Sequence, residues 1–201
     1  MAVTELTSLG RKARAARLDP LAAQRVFDAL LHTLANPGVP ATIAVPAGVP
    51  PALLPAVTLA DVEVTMTVLT DDDWADAVFA VTGARRAALA DAGLVVALRP
   101  VDAGEVRSLC RGTAEAPESA ARLVAAVEAI GGDAGTELTL RGPGVPGVRQ
   151  LCVRGLDPAV VRALAEANTE FPAGVDAHLV AADGTVASIP RGTEVRVARE
   201  N

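Results

Sequence analysis

Apolar residues recur at helical spacing from residue 21 onward. Leu21, Val26, Phe27, Leu30, Leu31 and Leu34 fall on one side of a helix, and on that side Phe27 reads as core. Asp19-Pro20 opens this segment, since Asp caps a first turn and Pro has no N–H to lose there. Asn36-Pro37-Gly38 closes it. The stretch 39–51 is rich in proline and reads as a loop, followed by a short helix over 51–60. At 62–69 the period changes to two. Val62, Val64, Met66 and Val68 alternate with Glu63, Thr65 and Thr67, as in a strand with one buried face.

Asp71-Asp72-Asp73 starts another helix, with Trp74, Val78 and Phe79 turned inward; acids there favour the helix dipole, so a cap is a better reading than a metal site. Leu94-Val95-Val96-Ala97-Leu98 is continuously apolar, which suits a central strand covered on both faces. Segment 120–130 is ambiguous: its alanines favour helix, while Leu123-Val124 and Val127 also suit a strand. Residues 136–141 read as strand, and Asp157-Pro158 opens a helix running to about Asn168. Asp183-Gly184 joins 174–182 to 185–189 as a hairpin, and a last strand covers 193–198. The elements predict an α/β fold, a mixed sheet with packed helices. Residues 18–201 are expected to form a single domain behind a flexible basic arm, residues 1–17, that carries Arg11, Lys12, Arg14 and Arg17.

Composition narrows the function. The chain has 201 residues, 51% hydrophobic but only 2% aromatic, with no Tyr. Its core is therefore built from Ala, Val and Leu, and such a core gains from wide contact with a partner. The formal charge of −6 and the absence of a basic stripe interleaved with aromatics argue against nucleic acid. No apolar run is long enough to span a membrane, and the first twenty residues lack the apolar stretch of a secretory signal, so the cytoplasm is expected. Cys110 and Cys152 lack metal-site spacing and read as small buried hydrophobes. His32 and His178 lack a nucleophile elbow to serve and read as structural or surface residues. Lys12 is the only lysine, so a fixed Schiff-base lysine is hard to supply. Arg141-Gly142-Pro143-Gly144-Val145-Pro146-Gly147 reads as a turn, because its prolines remove N–H donors that an anion nest needs. No cofactor or metal is implied.

Two stretches concentrate the remaining chemistry. One is 111–119, Arg-Gly-Thr-Ala-Glu-Ala-Pro-Glu-Ser; the other is Phe171-Pro172-Ala173-Gly174-Val175-Asp176, rejoined after the hairpin by Ile189-Pro190-Arg191-Gly192-Thr193. The hairpin brings Asp176 and Arg191 together, either as a salt bridge that anchors loops or as the frame of an anion site. Candidate positions are Arg111, Thr113, Glu118, Asp176, Arg191 and Thr193. Arg111, Arg191 and Thr193 are suited to binding oxygens, and Glu118 or Asp176 to acid–base work. None is assigned a catalytic role.

Between about residues 20 and 197 the chain resembles the PhnH family of the phosphonate C–P lyase system. The resemblance rests on Phe27-Asp28-Ala29-Leu30-Leu31-His32 leading to Asn36-Pro37-Gly38, on Leu59-Ala60-Asp61, and on Gly112-Thr113 with Ala116-Pro117-Glu118-Ser119-Ala120. It continues through Leu138-Thr139-Leu140, Gly142-Pro143-Gly144-Val145, Phe171-Pro172, Gly174-Val175-Asp176, Ile189-Pro190-Arg191 and Thr193. The resemblance implies a fold like the large domain of pyridoxal-phosphate-dependent transferases without the cofactor, and a strand over 120–127. It implies a homodimer that joins the other C–P lyase core subunits. With them it would help couple a phosphonate to C1 of the ribose of ATP, displacing adenine and giving a ribose 1-phosphonate 5-triphosphate. A phosphonate or an ATP-derived ligand is the expected small-molecule partner. The alternative is a stand-alone enzyme or binding module for such an anion.

Overall fold

A computed structural model describes residues 2–198, with side chains from residue 8 onward. Helices α1 (Ala2–Ala16), α2 (Pro20–Ala35), α3 (Leu53–Leu59) and α4 (Trp74–Thr82) lie on one face of a seven-stranded sheet. That sheet contains β1 (Ala41–Thr42), β2 (Thr65–Leu69), β3 (Arg85–Arg86), β4 (Leu94–Ala97), β5 (Arg122–Val127), β9 (Asp176–Ala181) and β10 (Thr185–Ile189), in the order β1-β10-β9-β5-β4-β2-β3. The run β9-β5-β4-β2-β3 is parallel, β10 pairs antiparallel with β9, and β1 pairs antiparallel with β10. Helices α5 (Ala103–Arg107) and α6 (Pro158–Ala167) cover the other face. They share it with a four-stranded antiparallel sheet, β11-β7-β8-β6, made of β6 (Ala129–Ile130), β7 (Thr136–Arg141), β8 (Arg149–Arg154) and β11 (Glu194–Val197).

Alternation along the central strands divides the core in two. Val95, Leu123, Ala125, Leu179 and Ile189 join α5, α6 and the small sheet. Leu94, Val96, Val124, Val180 and Val186 join α1 to α4. With both faces covered, β4 is buried at every position, as its apolar run predicts. Within segment 120–127, Arg122–Val127 form β5, the strand that the resemblance implies rather than the helix that alanine propensity favours. Small side chains let helices approach a central strand from both sides, so tertiary packing outweighs local preference there.

Three expectations need correction. The basic arm is helical over Ala2–Ala16: Ala16 is fully buried, Leu9 and Ala15 pack beside it, and Lys12 pairs with Asp73 above the Trp74 ring. Basic residues concealed a short apolar edge. On α2 the buried residues are Val26, Ala29, Leu30 and Thr33, while Leu21, Phe27 and Leu31 are 56%, 46% and 55% exposed. The apolar arc of α2 is wider than the face β10 and α3 can cover, so Phe27 is not core. Val62 is also exposed, because β2 starts only at Thr65.

The caps follow the sequence. Asp19 accepts from Ala22 N at 2.9 Å and Asp157 from Ala159 N at 2.7 Å. The acidic triplet differs: Asp73, the N-cap of α4, makes no side-chain cap bond, and Asp72 accepts from Trp74 N at 2.9 Å instead. The Gly142–Gly147 turn is a packing device: Gly144 has φ +78°, and a Cβ there would lie 2.2 Å from Ala35 O.

Candidate functional site

The starting edges of β5 and β9 form a corner where three loops meet: a 3-10 turn at Pro117–Ser119, the 171–174 turn and the 190–193 turn. The β9–β10 hairpin sets the register that puts Ile189 beside Ala177, so Arg191 lands next to Asp176. Arg191 N donates to Asp176 Oδ1 at 2.9 Å. Its Nη2 and Nε reach Oδ2 at 2.8 and 3.2 Å. Nη1 donates to Pro117 O at 2.7 Å and to Pro172 O at 3.4 Å. Four of the five guanidinium protons are thus used, leaving at most one for any ligand.

Both side chains of this ion pair are largely buried, at 16% and 15% exposure. Burial pushes the Asp176 carboxyl up, but the side-chain and backbone donors of Arg191 outweigh it and hold Asp176 below its usual range. An acid so held is ionised at neutral pH and is a poor general acid. Of the two readings open in the sequence, the geometry favours the loop anchor.

Gly174 makes the approach possible. It has φ +144°, and a Cβ would sit 2.5 Å from Asn168 Oδ1 and 3.1 Å from Arg191 Cβ. Asn168, which ends α6, accepts from Val175 N at 2.7 Å and donates to Val175 O at 3.2 Å. Gly174 N donates to Arg111 O at 2.7 Å, tying the 111–119 stretch to β9.

The six candidate positions are therefore brought to one neighbourhood but not to one constellation. Arg111 contributes its carbonyl, and its guanidinium is exposed and makes no hydrogen bond among the described residues. Thr113 Oγ1 accepts from Ala116 N at 3.0 Å and stabilises its own loop. Thr193 is 3% exposed, with its N–H on Pro190 O at 2.9 Å. Glu118 is exposed at the rim of a recess of about 250 Å³, lined also by Leu59, Val64, Leu94, Ala120, Arg122 and Arg191. A broader groove of about 460 Å³ lies on the other side of Arg191, edged by Phe171, Asn168 and Thr193.

Two polar residues at this corner were not singled out as ligands in the sequence. Arg122 starts β5 directly opposite Asp176, and its Nε is buried with no partner among the described residues. An Arg before an apolar run reads as surface; only the sheet shows that it faces inward. His178, two residues beyond Asp176, is fully buried, and the burial of its ring pushes its pKa down to about 4, with the Arg122 charge adding to the effect. Its Nδ1 lies 2.7 Å from Ser188 Oγ, which lies 2.6 Å from Thr33 Oγ1, which donates to Leu30 O at 3.0 Å. Counting protons fixes the directions. Thr33 spends its proton on Leu30, so Ser188 donates to Thr33 and His178 Nδ1–H donates to Ser188. Nε2 is then a bare acceptor, and it too has no partner among the described residues.

Other chemistry is sparse. No group of three or more His, Cys, Asp or Glu among the described residues is placed to hold a metal ion. Cys110 and Cys152 are free thiols, half-buried rather than buried as expected, with Cys110 Sγ 3.4 Å from Ser119 O. His32 is exposed. No helix among the described residues is long and apolar enough to cross a membrane.

Comparison with known proteins bears on this corner. The family described as "Bacterial phosphonate metabolism protein (PhnH)" matches residues 17–196, which includes every candidate position. A relative from Stutzerimonas stutzeri, named "Putative C-P lyase subunit protein HtxG", is 38% identical over 86 residues. That match covers 43% of each chain, so less than half of the relative's length is spanned.

Proposed function

The chain belongs to the PhnH family of bacterial phosphonate metabolism proteins, and from that premise we propose that it is an assembly subunit of a C–P lyase complex with no turnover of its own. With its partner subunits it serves the step in which a phosphonate replaces adenine at C1 of the ribose of ATP. It does so as a homodimer within the larger assembly, in the cytoplasm. The name of the Stutzerimonas stutzeri relative supports the subunit role.

The observation that carries this reading is the α2 surface. Phe27 and Leu31 lie one turn apart, Leu21 is on the same helix, and all three are about half exposed. Scattered single apolar residues are ordinary on a surface, but Phe27 and Leu31, adjacent on one face of the helix, form a shared patch that marks a contact face. The corner supports the reading from the other side. Its best-placed charges, Asp176 and Arg191, are committed to holding loops. A fold related to the large domain of pyridoxal-phosphate-dependent transferases belongs to the same reading. The lone lysine, engaged with Asp73 and Trp74, is poorly placed for cofactor chemistry.

The test is co-purification of tagged partner subunits with Phe27→Asp/Leu31→Asp. Loss of this chain from the complex, with its far-ultraviolet circular dichroism unchanged, is the expected result. Full retention removes α2 from the interface and with it this argument.

A further inference from the structure

We propose that the recess at the starting edges of β4 and β5 binds one small tetrahedral oxyanion of the phosphonate or phosphate class, held by the guanidinium of Arg122. This goes beyond the assembly reading and does not rest on it: a chain can bind an anion without joining a complex, and the reverse.

Arg122 carries a donor that lacks an acceptor among the described residues. Arg122 Nε is buried, and no Arg122 side-chain nitrogen makes a hydrogen bond or ion pair among the described residues. Leaving a buried charged donor unsatisfied is among the costlier defects a fold can carry. The carboxylate directly across the strand, Asp176, makes no hydrogen bond to Arg122 and spends three of its about four acceptor sites on Arg191. The corner thus holds two guanidinium groups around one committed carboxylate.

The recess supplies what an oxyanion needs. Leu59, Val64, Leu94 and Ala120 form one apolar side of it, and lower local polarity strengthens charge-assisted hydrogen bonds. Arg122 lines the recess, and with Nε closed off its terminal Nη1 and Nη2 groups are the pair left to meet two oxygens of one anion, with at most one Arg191 proton beside them. A volume of about 250 Å³ admits a small anion or one terminal group of a larger one, since pockets for drug-sized ligands start near 300 Å³. Glu118, exposed at the rim, is the one lining carboxylate. It opposes a fully ionised ligand, and it is also the rival candidate to pair with Arg122.

Calorimetric titration of the full chain at low salt with methylphosphonate, inorganic phosphate and ATP tests this. Saturable binding of one anion per chain is expected. Arg122→Gln should weaken it at least about tenfold, as loss of a charge-assisted pair implies. Glu118→Gln should tighten it a few-fold by removing a like charge, and this variant decides the matter if Arg122→Gln fails to fold. Equal affinity for methylphosphonate and phosphate means that the site reads the oxyanion alone. Tighter methylphosphonate means that the apolar wall reads the substituent, and tighter ATP means that a terminal phosphate enters. No saturation by any of the three up to about 10 mM, binding unchanged in folded Arg122→Gln, or Glu118→Gln that lowers the melting temperature without tightening binding would each overturn the proposal.

Discussion

Removing the Arg191 guanidinium should unfasten three loops at once, and the structure gives the size of the effect. Arg191 makes two side-chain bonds to Asp176, at 2.8 and 3.2 Å, and one to Pro117 O at 2.7 Å, with a longer one to Pro172 O at 3.4 Å. Hydrogen bonds to charged groups contribute about 1.5–3 kcal/mol each, and breaking a buried pair by removing one partner costs about 3–5 kcal/mol. The pair retains some exposure, so solvent screening lowers that figure, and about 2–4 kcal/mol is expected for Arg191→Ala. Asp176→Ala also strips the acceptor from Arg191 N, and the double variant should cost less than the two single ones summed, by about 1–3 kcal/mol. Urea unfolding of the four proteins gives the cycle. Hydrogen exchange should show faster exchange confined to residues 111–119 and 171–174. A loss under about 1 kcal/mol for Arg191→Ala, with additive effects, would refute the anchor and return Arg191 to the list of ligand groups.

Stability should also fall on mild acidification through His178. In the fold the ring takes its proton only near pH 4, against 6.5 for an unperturbed histidine, so between those limits the unfolded chain binds more protons. The contribution is complete above pH 6.5 and is lost as the pH drops towards 4, by about 3 kcal/mol in all. His178→Phe should flatten urea midpoints across that window, and an unchanged slope would contradict the assignment. The Asp176 effect occupies a different window: its folded pKa lies below 3.8, so its contribution holds above that value and disappears only in stronger acid. Gly174→Ala should lower stability by about 3 kcal/mol or more, since it adds a positive-φ penalty to a clash with Asn168 and Arg191, and it should speed proteolysis of the 171–174 turn.

Much of the frame is legible in the sequence because local signals and burial agree. Asp19-Pro20 and Asn36-Pro37-Gly38 bound α2, the run 94–98 is buried through Ala97, and Asp183-Gly184 makes the hairpin. The strand β5 is not legible from propensity, since alanine is chosen there by helices on both sides of the sheet. Which side of α2 is buried is also hidden: Thr33 is inside because Ser188 waits for it, and Phe27 is outside because nothing among the described residues covers it. At the corner, the meeting of Asp176 and Arg191 follows from the hairpin register. Arg122 does not stand out, because its lack of a partner is a property of the assembled sheet and the recess above it.

The central claim is that this chain works as a member of a complex. The direct measurement is the mass of what co-purifies when it is co-expressed with the other C–P lyase core subunits of its source, with the affinity tag on one of them. Stoichiometric recovery in a single large species is the predicted result. Elution of this chain by itself, as a monomer or dimer, while the others assemble would contradict the account.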